Sequence, residues 1–194
     1  RSVAQGEIVV GTAFQSAVLA QYRRLLAGDT ASRTEPVSGP DEEKESPRSE
    51  SHRSKILDTK LHRPQVPSLV APRERLWALL DQAVGRPLTL VSAPAGYGKS
   101  TLVIQWLTAR PHNSAWLSLD EDDNDLAVFL TYWVEAVERL FPDSLPGSAS
   151  LLAANPLPPP SVLATTLVNE MAQIEDDFVL VLEDYHQIVT PAIH

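Results

Sequence analysis

The chain of 194 residues contains no cysteine, which excludes both a disulfide framework and a thiolate metal centre and suits a reducing compartment. It has no apolar run near the roughly 18 residues needed to cross a bilayer, and no leader-like series opens it. The expectation is a cytoplasmic protein with no membrane partner. Positive charge is scarce in the second part: residues 1–75 hold 12 of the 16 Lys and Arg, leaving 4 against 15 Asp and Glu after Leu76. Phosphate neutralisation needs clustered cations, so that part is not expected to touch DNA directly. Metal-ligand spacing is missing around His186 and His194. The run DEDDND (Asp120–Asp125) lacks the glycine and the later glutamate of a calcium loop, so Asn124 or Asp125 is expected instead to cap the following helix.

With 43% hydrophobic and 21% charged residues, the composition is that of a soluble globular protein. Residues 1–28 form a short N-terminal segment. It holds the β-branched run Ile8-Val9-Val10, followed by a helix-like stretch with Phe14, Val18, Tyr22 and Leu25 on one face and Gly28 as its stop. Residues 29–54 turn to Ser, Pro, Glu, Asp and Arg with hardly an apolar side chain, the composition of a disordered linker. The folded unit is expected over 55–194. There, Leu76, Leu79, Leu80 and Val84 recur at helical spacing, and Leu88–Ala93 reads as a strand buried on both faces. A helix through Arg110, a strand over Ala115–Leu119, a helix over 126–141, a proline-rich connection from Pro142 to Pro160, a helix over 162–172 and the strand FVLVLE follow. Strand, helix, strand, helix, strand predicts a doubly wound, parallel α/β sheet. Such a sheet ordinarily has about five strands and only three are visible. The strand expected between the first and the last of these is missing, which predicts a gap or collapsed pairing and marginal stability.

The first strand runs into SAPAGYGKST, Ser92–Thr101. A strand that delivers the chain to a tight turn, with a helix beginning directly after it, lets backbone N–H groups and the helix dipole converge on phosphate oxygens. Gly96 and Gly98 can take positive φ and leave room for close approach. Lys99 is placed to reach the β and γ phosphates, and the Ser100 hydroxyl to bind magnesium. Alanine at the leading position, Ala93, adds only a methyl group, so the span Ala93, Pro94, Ala95, Gly96, Tyr97, Gly98, Lys99, Ser100 and Thr101 is the expected cradle. The last strand ends in Glu183 and Asp184, where a phosphate-loop fold carries the acid that holds the magnesium shell and, beside it, one that polarises an attacking water. Which of the two serves the metal stays open at this stage.

The segments TKLHRPQVP, VAPRERL, LTLVSAPAGYGKSTLVIQW, AWLSLDEDDND and FVLVLEDYHQIVTPAIH together resemble the ATP-binding region of the MalT-like, LuxR-type transcription regulators, which are signal-transduction ATPases. The resemblance covers about residues 55–194. It implies a P-loop fold, ATP and magnesium as cofactors, slow hydrolysis serving a switch, an inducer ligand, self-association of the full-length protein, and DNA contact through C-terminal regions not present in this sequence. It also implies a place near the nucleotide for Arg73, which here follows Pro72 where related ATPases often have glycine. Two other classes compete: a small-molecule phosphotransferase, which would need arginines that the chain after Lys99 supplies only at Arg110 and Arg139, and a nucleotide-binding interaction module without turnover.

Overall fold

A computed structural model describes residues 5–11, 56–66, 71–110 and 112–193. The helix expected over Phe14 to Leu25 and the linker 29–54 lie outside the described residues. The chain forms β1 (Gln5–Gly11), α1 (Glu74–Ala83), β2 (Thr89–Pro94), α2 (Lys99–Ala109), β3 (Asn113–Ser118), α3 (Leu126–Glu138), α4 (Pro146–Leu152), α5 (Pro160–Met171) and β4 (Phe178–Glu183). The four strands make one sheet in the order β2-β1-β4-β3.

Strands β3 and β4 pair in parallel, while β1 pairs antiparallel with both β2 and β4. The expected all-parallel sheet is therefore corrected to a mixed one. The predicted gap between the loop strand and the acidic strand is filled by Gln5–Gly11, and β2, β3 and β4 keep a common direction around it. The physical reason lies in the run Ile8-Val9-Val10, whose β-branched side chains suit a pleated position buried on both faces. All three are buried in that seam.

Two cores flank the sheet. On one face Val9, Leu117, Leu180 and Leu182 meet α3, with Phe129, Trp133 and Val137 at its centre. On the other, Ile8, Val10, Trp116, Val179 and Val181 meet α1 and α2 through Leu80, Val103 and Trp106. Strand β4 is buried over its first five residues, which explains its unbroken apolar run. Strand β2 forms the sheet's edge, and Leu90, on the face opposite α2, stays half exposed.

The proline-rich connection contains a helix that periodicity alone did not predict. Pro146 opens α4 and Pro160 opens α5, each at a first-turn position where the missing N–H costs nothing. The Glu170 carboxylate accepts from the Gly147 and Ser148 amides at 2.6 and 2.9 Å and from the Ser148 hydroxyl at 2.6 Å, tying α4 to α5.

Candidate functional site

The loop between β2 and α2 takes its shape from two glycines. Gly96 has φ of 82° and Gly98 φ of 74°, left-handed values that a side chain would strain. Gly98 also lies under Arg73, so that a Cβ there would sit 3.1 Å from the Arg73 Nη2. Directly after it α2 begins. The Leu102 amide is the first to bond back, to the Gly98 carbonyl at 2.9 Å, and no side chain caps the helix. The first-turn amides of Lys99, Ser100 and Thr101 thus have no intrahelical acceptor and carry the positive end of the helix dipole.

Around that turn the side chains are held in place. Lys99 Nζ donates to the Ala93 and Pro94 carbonyls at 3.0 and 3.3 Å, which folds its ammonium back over the loop. Arg73, at the start of α1, donates from Nη1 to the Tyr97 carbonyl at 2.9 Å. Ala95 and Tyr97 are exposed, whereas Ser100 and Thr101 are half-buried. A groove of about 440 Å³ opens beside the loop between α1 and β2, lined by Arg73, Leu76, Leu79, Leu90, Tyr97 and Lys99 among others.

The acidic strand end meets the loop. Ser100 Oγ donates to Glu183 Oε1, and Glu183 Oε2 accepts from Trp116 Nε1 at 3.1 Å and Ser118 Oγ at 3.2 Å. Three donors from α2 and β3 therefore fix one carboxylate. Asp184, one residue on, behaves differently: it sits in the left-handed region at φ 56°, its side chain is half exposed, and its nearest ionic neighbour is His186 Nδ1 at 3.8 Å. Among the described residues it makes no hydrogen bond to the loop. The next residue, Tyr185, has its phenol pushed above the ordinary value by burial and, secondarily, by the Glu7 carboxylate of β1.

The structure thus gathers Arg73, Ala93, Pro94, Gly96, Tyr97, Gly98, Lys99, Ser100 and Glu183 at one end of the sheet, where β2 and β4 finish. Trp116 and Ser118 belong to the same cluster, although an apolar strand residue such as Trp116 reads from sequence as core. Its indole ring is indeed buried, and only its N–H reaches Glu183. The signal was position: Trp116 and Ser118 alternate on β3, and Ser118 lies level with Glu183. What this end offers is a ring of amides, an ammonium and a guanidinium for an anion, and a hydroxyl touching a carboxylate as hard oxygen donors for a small divalent cation. No group of three or more His, Cys, Asp or Glu placed to hold a metal by itself occurs among the described residues.

The acidic run DEDDND does other work. Asp125 caps α3 by accepting from the Ala127 and Val128 amides at 2.8 and 3.1 Å. Asn124 instead clasps the chain after β4, donating to the Gln187 carbonyl at 2.8 Å and accepting from the Val189 amide at 2.7 Å. Asp123 is fully buried and takes both its oxygens to Lys60 Nζ, at 2.9 and 2.8 Å, while Asp120 meets the same ammonium at 2.8 Å. Burial works to depress the Lys60 pKa, but the two carboxylates outweigh it and raise it. Burial likewise works to raise the Asp120 pKa, and Lys60 reverses that and lowers it. Two acids of the run are thus paired with a lysine from the TKLHRP segment, a pairing that nothing local in either stretch announces.

No family model matches the chain. Curated relatives do. Proteins named HTH-type transcriptional regulator MalT are 36% identical to it over 139 residues in Yersinia pestis and in Yersinia pseudotuberculosis, and 34% identical over 139 residues in Klebsiella pneumoniae. In each case the match takes in 72% of this chain and 15% of the relative. The chain therefore spans only a small part of the length of the curated relatives it matches. No helix among the described residues is long and apolar enough to cross a membrane.

Proposed function

The chain is a MalT-like regulator segment, and on that premise we propose that it is an ATP-binding switch module of a LuxR-type transcription regulator, in which Mg-ATP at the loop controls self-association and thereby transcription. The observation that carries this proposal is the contact between Ser100, next to Lys99 on the loop helix, and Glu183 at the end of β4. An anion-binding turn alone would suit many ligands. A hydroxyl and a fixed carboxylate beside it select a phosphate that travels with magnesium.

The residues present fit such a ligand. The amides of Gly98 to Thr101 and the Lys99 ammonium would bind the β and γ phosphates, Arg73 would lie along the chain of phosphates, and the groove flanked by Leu76, Leu79 and Tyr97 would take the base. Ser100 and Glu183 would hold the magnesium, which would supply neutralisation of the phosphate charge. Lys99 must leave the Ala93 and Pro94 carbonyls to meet phosphate, exchanging two neutral acceptors for a charged one. Glu183 is restrained by Trp116 and Ser118, so it serves the metal without reorientation. Asp184, exposed to solvent and adjacent in the chain, is the residue left to orient an attacking water. Its exposure suits slow turnover, and slow turnover suits a switch that persists in its ATP state.

A fluorescent ATP analogue titrated with and without magnesium tests this. Binding should tighten at least about tenfold with magnesium in the chain as given, and Ser100→Ala should remove most of that gain while leaving magnesium-free binding in place. Equal affinity with and without magnesium would contradict the assignment of Ser100 and Glu183. Self-association and promoter activation belong to the longer protein, where a Lys99→Ala variant that still activates would overturn the switch.

A further inference from the structure

Strand β1 plays no part in the nucleotide chemistry just described, yet it lies at the centre of the site's framework. Among the described residues it is the sole strand that joins β2 to the β4–β3 pair. Those two halves of the sheet carry the two halves of the site. Strand β2 ends in Ala93 and Pro94, whose carbonyls hold Lys99, and β4 ends in Glu183, which holds Ser100. The register sets Ile8 between Val91 on one side and Glu183 on the other, with Glu7 opposite Ser92 and Gly6 opposite Ala93. The strand therefore bridges the seam at the level of the site itself. It also packs against the Tyr185–Gln187 turn that follows the acidic end.

What holds β1 there is burial. Ile8 and Val10 enter the core under α1 and α2, and Val9 enters the core under α3, so the strand is gripped from both faces. The next described residue after Gly11 is Ile56, with 44 residues of sequence between the two. Docking is consequently a long-range closure, opposed by chain entropy that grows only slowly with length and maintained by three apolar side chains and two ladders.

Resting on the nucleotide reading above, we propose that residues 5–11 are a positioning strand, which by docking in the seam sets the placement of the phosphate loop relative to Glu183. Docking of the strand and binding of Mg-ATP then strengthen each other. A metal gripped by Ser100 and Glu183 favours the arrangement that β1 enforces, and thermodynamic reciprocity makes the strand favour the metal-bound nucleotide by the same factor.

Hydrogen exchange read by mass spectrometry on the full 194-residue chain tests this, with Val9→Ala and the gentler Ile8→Val as perturbations and α3 (Leu126–Glu138) as internal reference. Loss of buried methyl groups should speed exchange in residues 5–11 and in 96–104 together, roughly tenfold for Val9→Ala and about threefold for Ile8→Val, with α3 unchanged. Faster exchange in 5–11 alone overturns the proposal. So does an equal rise in all three segments, which would make β1 an ordinary part of the global fold; if Val9→Ala fails to fold, Ile8→Val decides. Adding Mg-ATP to the unmodified chain should slow exchange in 5–11 as well as in 96–104. Protection of 96–104 alone overturns the coupling, whereas protection of neither overturns the nucleotide reading and leaves the ATP-free comparison to decide the role of β1.

Discussion

Replacing Lys60 by alanine removes the one cation that, among the described residues, faces the fully buried Asp123 carboxylate. Three short contacts disappear at once, two to Asp123 and one to Asp120. Asp123 would keep the Asp120 amide, at 2.8 Å, as a donor, but its buried charge would lose its cation. Stranding a buried charge in this way typically costs about 3–5 kcal/mol, far more than the net value of the intact pair. For a domain of this size that is on the order of 10 °C in melting temperature, and a large share of total stability. Urea unfolding followed by tryptophan fluorescence would measure it. The pH dependence gives the charge origin away. In the unmodified chain Asp120, with a pKa below its ordinary 3.8, contributes stability above that value and loses it as pH falls through the lowered one. Lys60, raised above 10.5, contributes below that value and loses it as pH rises through the raised one. The bridge is therefore intact between these limits. In Lys60→Ala the contribution that Asp120 draws from the lysine is absent, so the gap between variant and parent should narrow as pH falls through the lowered pKa of Asp120. A loss under about 1 kcal/mol, or a gap that stays constant with pH, would refute the reasoning.

Gly98→Ala places a Cβ at φ 74° and 3.1 Å from Arg73 Nη2, so it should cost about 1–2 kcal/mol and weaken ATP binding at least tenfold, checked by melting and titration. Trp116→Phe keeps the buried ring and deletes the N–H that Glu183 accepts. It should leave the fold within about 1.5 kcal/mol of the parent and lower magnesium-dependent affinity several-fold. Glu170→Ala frees two amides and a hydroxyl at the start of α4, with an expected loss of about 2–3 kcal/mol in urea unfolding and no change in nucleotide affinity.

The parts of this fold that could be read from the sequence are those whose signals are local. Apolar runs ending in turn residues located β2, β3 and β4, heptad-like spacing located α1 and α3, and the cap at Asp125 followed from residue type next to a helix start. The loop was legible because glycine at 96 and 98 answers a backbone demand that the structure shows as positive φ. Most of the missed features are long-range pairings. Ile8-Val9-Val10 reads as a strand wherever it goes, but nothing in seven residues states that it will enter a parallel sheet backwards, between strands about 80 and 170 residues away. Lys60 looks like a solvated lysine until the fold brings Asp120 and Asp123 to it, and Trp116 looks like core because most of it is. Helix α4 had a legible start in Pro146, but the neighbouring prolines suggested a connection instead.

The central claim is that the turn from Ala93 to Thr101 binds the phosphates of ATP, with Lys99 as its cation. Calorimetric titration of Mg-ATP into the chain and into Lys99→Ala addresses that claim directly. The account predicts saturable one-to-one binding to the parent and, for the variant, affinity lowered by about two orders of magnitude or more, since the variant loses a charge-assisted contact in a partly buried site. Equal heats and equal affinities for both proteins would contradict it.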